Sequence, residues 1–506
     1  SDRRISVRWT RLAGTTAVLA GGLASVASAT ARPAAMGRSA AALITGAGSR
    51  PAYVSYIRSE SNAVGATAYD WAGHTSAAIP AFARKYDLPC SACHTAWPEL
   101  NAFGQRFKDR GYQLGNDRDN PIWKDPSYWP SAFRTTPGWR SERATNQVTA
   151  ADPAGTTTLT QSGFDIGGAD FLNLGTLYKD ISFGFVPTGF DGGVTLETAY
   201  VRFDNMFNSS WVNLKVGKFE LDNLLSEKRI LTLSSVGGFY QGYHFLPMGS
   251  ANDFGIGDNQ IGAEIMGHNE NSYRRFSVAV LNENDGEPGL AGANDAGGGK
   301  GMDFNLTASQ AFDAGKLGVE RIGAYAYFGQ RPTSFTLDGS GGVIPGTGNT
   351  NKSFSRIGLV GDFFFQNFEV LPFYLHGSDD KALVLNPAGD STGTQNATWN
   401  SYLVEAHYYV NPQLMFLGRA DFVRMSQQGR PTDYTSDQGN ADVYTIGLRY
   451  YPIMFSRAGL SWHTELSFGK TTGAFPMSGI GNTVDAPAPG TIVKTTSLLT
   501  ALDFDF

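Results

Sequence analysis

The chain has 506 residues, with 40 Lys and Arg against 46 Asp and Glu and a formal charge of −6. Glycine contributes 61 residues and aromatics 12%, whereas charged residues reach only 17%, below the usual ~25%. This mildly acidic balance without a basic block excludes a nucleic-acid partner. The two cysteines lie three positions apart, which excludes a disulfide scaffold. The body holds no run of about 18 apolar residues, so helical membrane spans are excluded. What remains is the profile of a large Gly- and aromatic-rich β-structure.

In chain order, an export signal comes first. Arg3, Arg4, Arg8 and Arg11 precede a weakly apolar run from Leu12 to Val26 and the small-residue exit Ala27-Ser28-Ala29. Basic head, short apolar core and small exit predict a signal peptide over 1–29. Residues 30–78 are rich in Ala, Gly, Ser and Thr without periodicity, and read as a flexible linker.

Next comes Cys90-Ser91-Ala92-Cys93-His94, the C-x-x-C-H spacing of covalent c-type haem attachment. Two thiols three residues apart reach the two vinyl groups on one porphyrin edge, and the adjacent imidazole swings under the iron. A zinc site would need further Cys or well-spaced His, and a thioredoxin-like site a βαβ setting; the sequence offers neither. The expectation is one covalent haem c in a unit spanning 79–150, attached at Cys90 and Cys93 with His94 as proximal ligand. The flanks suit a small haem-holding unit. Pro80–Tyr86 reads as a short helix with Phe82 and Tyr86 on one face. Pro98 suits a first helical position, Leu100, Phe103 and Phe107 recur at helical spacing, and Gly111 would close that helix. Phe82, Tyr86, Leu100, Phe103 and Phe107 are thus expected to cover the haem. For the sixth iron position His74, Met266 and Met415 are candidates, beside an open or water-filled site.

From about Gly155 to the end, segments of ten or so alternating residues are separated by turns or loops. In Tyr402–Val410, Tyr402, Val404, Ala406, Tyr408 and Val410 face one way, with Glu405 and His407 opposite. Leu460–Phe468 and Trp211–Gly217 behave alike. Period two also fits a soluble β-sandwich, but three features favour a membrane barrel. Short turns near Asn411-Pro412, Asp313-Ala314-Gly315 and Gln366-Asn367 alternate with long polar loops at roughly 283–301, 329–352, 377–397, 425–440 and 470–494. Aromatic pairs at strand ends, Tyr408-Tyr409 and Tyr450-Tyr451, suit interfacial girdles. The last segment carries Leu498, Thr500, Leu502, Phe504 and Phe506 on one face. The fold class is therefore mainly β: a transmembrane antiparallel barrel of about sixteen strands over 155–506 with a small N-terminal α-helical haem domain. Its inward set includes Arg202, Arg275, Arg356, Arg419 and Arg449 with Asp204, Glu264, Asp362, Asp421 and Glu405, the composition of a solvated pore wall. Inward His407, His463, Met266 and Met415 are candidates to contact haem or a metal.

Residues 80–114, from Pro80-Ala81-Phe82-Ala83-Arg84-Lys85-Tyr86 through Cys90–His94 to Pro98-Glu99-Leu100-Asn101-Ala102-Phe103-Gly104, Phe107-Lys108 and Gly111-Tyr112, resemble the haem segment of fused outer-membrane cytochrome–porins. The best-known members act in iron-oxidising bacteria. The resemblance is specific over about 35 residues and architectural over the barrel; the long linker departs from the family's shorter spacing. It implies a single c-type haem joined to a barrel of about sixteen strands that moves electrons across the bacterial outer membrane. The implied partners are a periplasmic electron-carrier protein, an extracellular redox partner such as Fe²⁺, and the lipid bilayer. The leading expectation is an electron carrier, with iron oxidation as the enzymatic variant. A solute porin with a haem plug or sensor and a soluble periplasmic haem enzyme are the competitors.

Overall fold

A computed structural model describes residues 81–86, 88, 90–96, 99–114, 131–149, 152–190, 193–222, 242, 245–250, 252, 254, 256, 259–282, 302–332, 351–384, 392–411, 413–454, 459–473 and 488–505. The expected signal peptide (1–29), the linker (30–78) and the candidate ligand His74 lie outside the described residues, as does Pro98.

The N-terminal part is a run of short elements: α1 (Ala81–Tyr86), α2 (Cys90–Cys93), β1 (His94–Ala96), β2 (Glu99–Leu100) and α3 (Ala102–Asp109). β1 and β2 pair with each other. Next in order are β3 (Ser131–Thr149), β4 (Asp152–Tyr178), β5 (Ile181–Phe190), β6 (Gly193–Phe203), β7 (Asn213–Glu220), β8 (Asn259–His268), β9 (Arg274–Asn282) and β10 (Met302–Asp313). Then come β11 (Val319–Pro332), β12 (Asn351–Phe365), β13 (Phe368–Asp379), β14 (Ala397–Asn411), β15 (Leu414–Gln427), β16 (Ala441–Met454), β17 (Gly459–Thr472) and β18 (Ile492–Asp505). β3 to β18 form one closed antiparallel barrel of sixteen strands, each paired with its sequence neighbour and β18 closing onto β3.

The expected alternation holds strand by strand. On β14, Tyr402, Val404, Tyr408 and Val410 are exposed on the outer wall, while Leu403, Glu405 and His407 are buried inside. On β17, Trp462 and Phe468 face out and Ser461, His463, Glu465 and Ser467 face in. Leu498, Leu502 and Phe504 of the closing strand are exposed outward. An outward belt of aliphatic and aromatic side chains around a closed sheet belongs to a barrel that spans a bilayer: closure satisfies every backbone ladder, and lipid takes the apolar face.

Four expectations need correction. The barrel begins at Ser131, not 155, so the C-terminal part of the proposed 79–150 haem unit is β3, paired to both β4 and β18. Arg134, Arg140, Glu142, Arg143 and the mid-strand Pro137 hide its alternation. The strands also outrun the expected 9–11 residues, reaching 27 in β4, because hairpins continue past the apolar belt on the long-loop side. Helix α3 starts at Ala102 rather than at Pro98, with the β1–β2 pair in between. Finally, Tyr408 and Tyr450 point outward as girdle residues should, but their neighbours Tyr409 and Tyr451 face the lumen, as period two requires.

Among the described residues, the charges of the inner wall are paired. Arg202, Arg275, Arg356, Arg419 and Arg449 are all buried, and each is ion-paired: to Asp204, to Asp109 and Asp222, to Asp379, to Glu405 and to Asp503. Described residues of the connection from β7 to β8 also meet the inner wall. Its Gly242 N donates to Asp421 Oδ1 on β15 at 2.9 Å, and Ser250 bridges to Val384. Phe245, Phe254 and Ile256 of the same connection join Tyr327, Phe354, Leu375, Trp399 and Leu403 in an apolar core inside the barrel.

Candidate functional site

The Cys90–Cys93 stretch folds as one helical turn, α2, that runs straight into β1. Asn101 ties this turn to helix α3. Its backbone N–H donates to Cys93 O at 3.0 Å and its side-chain amide to Ala92 O at 3.2 Å, while its side-chain oxygen accepts from Gly104 N at 2.9 Å. One residue thus caps α3 and anchors the cysteine turn. A Cβ on Gly104 would run into the Cys93 carbonyl oxygen, so only glycine allows α3 to approach this closely. His94 Nδ1 lies 3.2 Å from Glu99 O. A carbonyl can only accept, so Nδ1 holds the proton and Nε2 keeps the lone pair of the neutral ring.

Of the five expected packing residues, three meet. Phe82 packs edge-on against Phe107 at 5.0 Å, and Tyr86 does the same at 5.7 Å. Tyr112 completes the cluster by stacking on Phe82 at 5.0 Å. Phe103 is buried beneath the Arg106 guanidinium, and Leu100 packs at the Gly104 approach.

The segment then docks inside the barrel at the short-turn rim. Arg275 of β9 grips Asp109 with two bonds, 2.8 and 2.9 Å, and reaches Asp222 at 2.8 Å. Arg202 of β6 donates to Lys108 O at 2.9 Å and Asp109 O at 3.2 Å, placing a cation on the C-terminal carbonyls of α3. Gly111, at φ +77°, closes the helix as expected, with Gly111 N–H to Lys108 O at 3.2 Å and Tyr112 N–H to Phe107 O at 3.0 Å. Thr176 Oγ1 donates to Gly111 O at 2.7 Å, Gln113 Nε2 to Lys179 O at 2.6 Å, and the Tyr112 and Tyr200 hydroxyls lie 3.1 Å apart. Burial opposes ionisation of Asp109, but Arg275 and His268 outweigh it and hold this carboxyl well below the usual range.

The other end of the segment meets the far wall. Glu99 Oε2 lies 3.5 Å from His407 Nδ1 and 3.4 Å from the Tyr409 hydroxyl, both on β14. His407 Nδ1 is 2.9 Å from Glu369 Oε2, its register partner on β13, and Nε2 is 2.7 Å from Glu405 Oε1. Tyr409 also bonds Glu369, and Arg419 Nε holds Glu405 at 2.5 Å. Burial, and then the facing Glu369, push the Glu99 carboxyl well above its ordinary range. With β4, β6 and β9 on one side and β14 on the other, residues 99–114 are bonded to two sides of the inner wall.

The candidate sixth ligands are scattered. Met266 on β8 accepts a contact from Arg202 Nη1 at 3.9 Å, whereas Met415 on β15 packs with Leu417 against Tyr409. Their strands stand on opposite arcs of the barrel. His463 is bound to Asp503 at 3.0 Å, within the ion network of Arg449. Sequence reasoning missed two groups, Asp109 and Tyr112 against β6 and β9, and Glu99, Glu369 and Tyr409 around His407. The signal available was modest: an acid just after the C-x-x-C-H turn, and an inward acid opposite His407.

No protein-family profile matches the chain, and no curated protein matches it. Among solved structures, the chain is similar to the anion-selective porin from Comamonas acidovorans (12% identity, TM-score 0.47, covering 74% of this chain and 99% of that one). It is also similar to OprB of Pseudomonas putida (11%, 0.43, 82% and 99%) and to the outer-membrane channel DcaP of Acinetobacter baumannii (11%, 0.42, 74% and 97%).

Proposed function

We propose that this protein carries electrons across the bacterial outer membrane through one c-type haem held at the barrel's periplasmic mouth. The observation that carries the reading is the Cys90–His94 turn, built into a plug that is bonded to the inner wall at the short-turn rim. Short turns are the periplasmic side of outer-membrane barrels, and the long loops face outward. The residues fit the group: Cys90 and Cys93 would hold it by thioether bonds, and His94, its ring steered by the Glu99 carbonyl, would ligate the iron. The haem supplies a one-electron couple. The protein's own work is to fix the His94 tautomer, exclude water with the Phe82, Tyr86, Phe107 and Tyr112 rings, and hold the plug against both walls. The partners of this reading are a periplasmic carrier protein and an extracellular donor, Fe²⁺ being the first to test.

The experiment is reconstitution in liposomes with an electron acceptor trapped inside and Fe²⁺ or another impermeant donor outside. Internal reduction is expected from the haem-loaded protein and not from His94→Ala. No reduction by fully loaded protein, together with high ionic conductance in planar bilayers, would instead make the chain a solute porin with a haem-bearing plug.

A further inference from the structure

Glu99, Glu369 and His407 present three donor atoms within 4.8 Å of one another, all on buried side chains. We infer that they form a resident site for a divalent first-row transition metal, which bolts the plug to the barrel wall. Three observations carry this, and none depends on the haem reading.

The spacing suits ligands around a common centre. His407 Nδ1 lies 2.9 Å from Glu369 Oε2 and 3.5 Å from Glu99 Oε2. Donors about 2.0–2.2 Å from a metal stand roughly 3 to 3.5 Å apart. The imidazole is also held as a ligand should be. Nε2–H donates to Glu405, which is fixed in turn by Arg419, and Nδ1 faces Glu369 and Glu99, so a metal bound at Nδ1 would displace the proton that this nitrogen directs at Glu369. A carboxylate behind a ligating histidine, raising its basicity and setting its tautomer, is the usual outer support of a metal site.

Glu369 Oε1, on a side chain with no solvent exposure, accepts from no N–H or hydroxyl group, and the carboxyl of Asp362 is what faces Glu369 there.

One nitrogen and two carboxylates form a borderline donor set suited to Zn²⁺, Fe²⁺ or Mn²⁺. The ligands come from three elements, β2, β13 and β14, so occupancy ties the plug to the wall. It also steadies His94, because the Glu99 backbone carbonyl holds that ring.

The probe is Zn²⁺ alone, added to full-length, haem-loaded protein in detergent after chelator treatment. Titration calorimetry should give one site per chain, and zinc-edge X-ray absorption an oxygen/nitrogen shell near ~2.0–2.1 Å without sulfur at ~2.3 Å. His407→Ala and Glu369→Gln should each weaken binding about a hundredfold, and Glu405→Gln by about ten- to a hundredfold. Glu99→Gln lies on the plug, so it should weaken binding while leaving the barrel's heat-modifiable gel mobility intact. Asp433→Asn, in the connection after β15, should change nothing. A sulfur shell, equal affinity in His407→Ala, or no binding by a wild-type barrel with normal gel mobility would overturn the assignment.

Discussion

Two glycines decide whether the cysteine turn and its helix can pack at all. Gly104 leaves room for the Cys93 carbonyl, and Gly111 takes the left-handed conformation that ends α3 beside Asp204, where a Cβ would sit 2.6 Å from Oδ2. Gly111→Ala should therefore cost the plug about 1–2 kcal/mol in backbone strain before the Asp204 contact is counted. Gly104→Val should cost about 1–3 kcal/mol as overpacking, and more if α3 cannot shift. Hydrogen exchange will read both. Amides of 102–114 should lose protection while those of β14–β17 keep theirs. Equal loss in the barrel strands would mean that the plug and wall fold as one unit.

At the scale of the element, the plug is held by two carboxyl groups of opposite character. Asp109, facing Arg275, His268, Ser272 and Gln105, is held below its ordinary range. Its stabilisation is therefore complete above about pH 4 and lost as pH falls through the docked value. Glu99, facing Glu369, His407, Tyr409, Asp362 and Glu405, is held above its ordinary range. Docking is then strongest below about pH 4.3 and weakens as pH rises toward the raised docked value. Protease sensitivity of the plug in chelator-treated protein should accordingly increase on both flanks. Asp109→Asn should remove the acid flank and weaken docking by about 3 kcal/mol, since Arg275 then keeps only Asp222. Glu99→Gln should remove the alkaline flank, and Zn²⁺ should suppress that flank in the wild type. A wild-type profile flat from about pH 3 to 9 would show that neither carboxyl controls docking.

For the whole molecule, stability rests on closure and on an apolar outer belt in lipid. Ile446 of β16 is 61% exposed on that belt. Ile446→Arg should destabilise the folded barrel by about 2–4 kcal/mol if it lies at the bilayer midplane, falling toward zero near an interface. Denaturant titration in phospholipid vesicles measures it, and an unchanged midpoint would place Ile446 away from lipid. Inside, ion pairs bind the wall to residues 99–114, and the core around Trp399 packs it against the β7–β8 connection.

The strand pattern was legible from the chain because period two follows from local geometry. A residue's side of the sheet is set by its neighbours in sequence, so the alternating strands after β3, their short turns and the inward set could be read without coordinates, although about sixteen strands were expected over 155–506, where fifteen stand. The C-x-x-C-H spacing was legible for the same reason. β3 was not, because its charges and Pro137 erase the alternation. Nor could local pattern show that Glu99 meets Glu369 and His407, or that Asp109 meets Arg275. Even the nearest of these pairs, Asp109 and Arg275, is separated by 166 positions, and only closure of the sheet around the plug brings such partners within bonding distance.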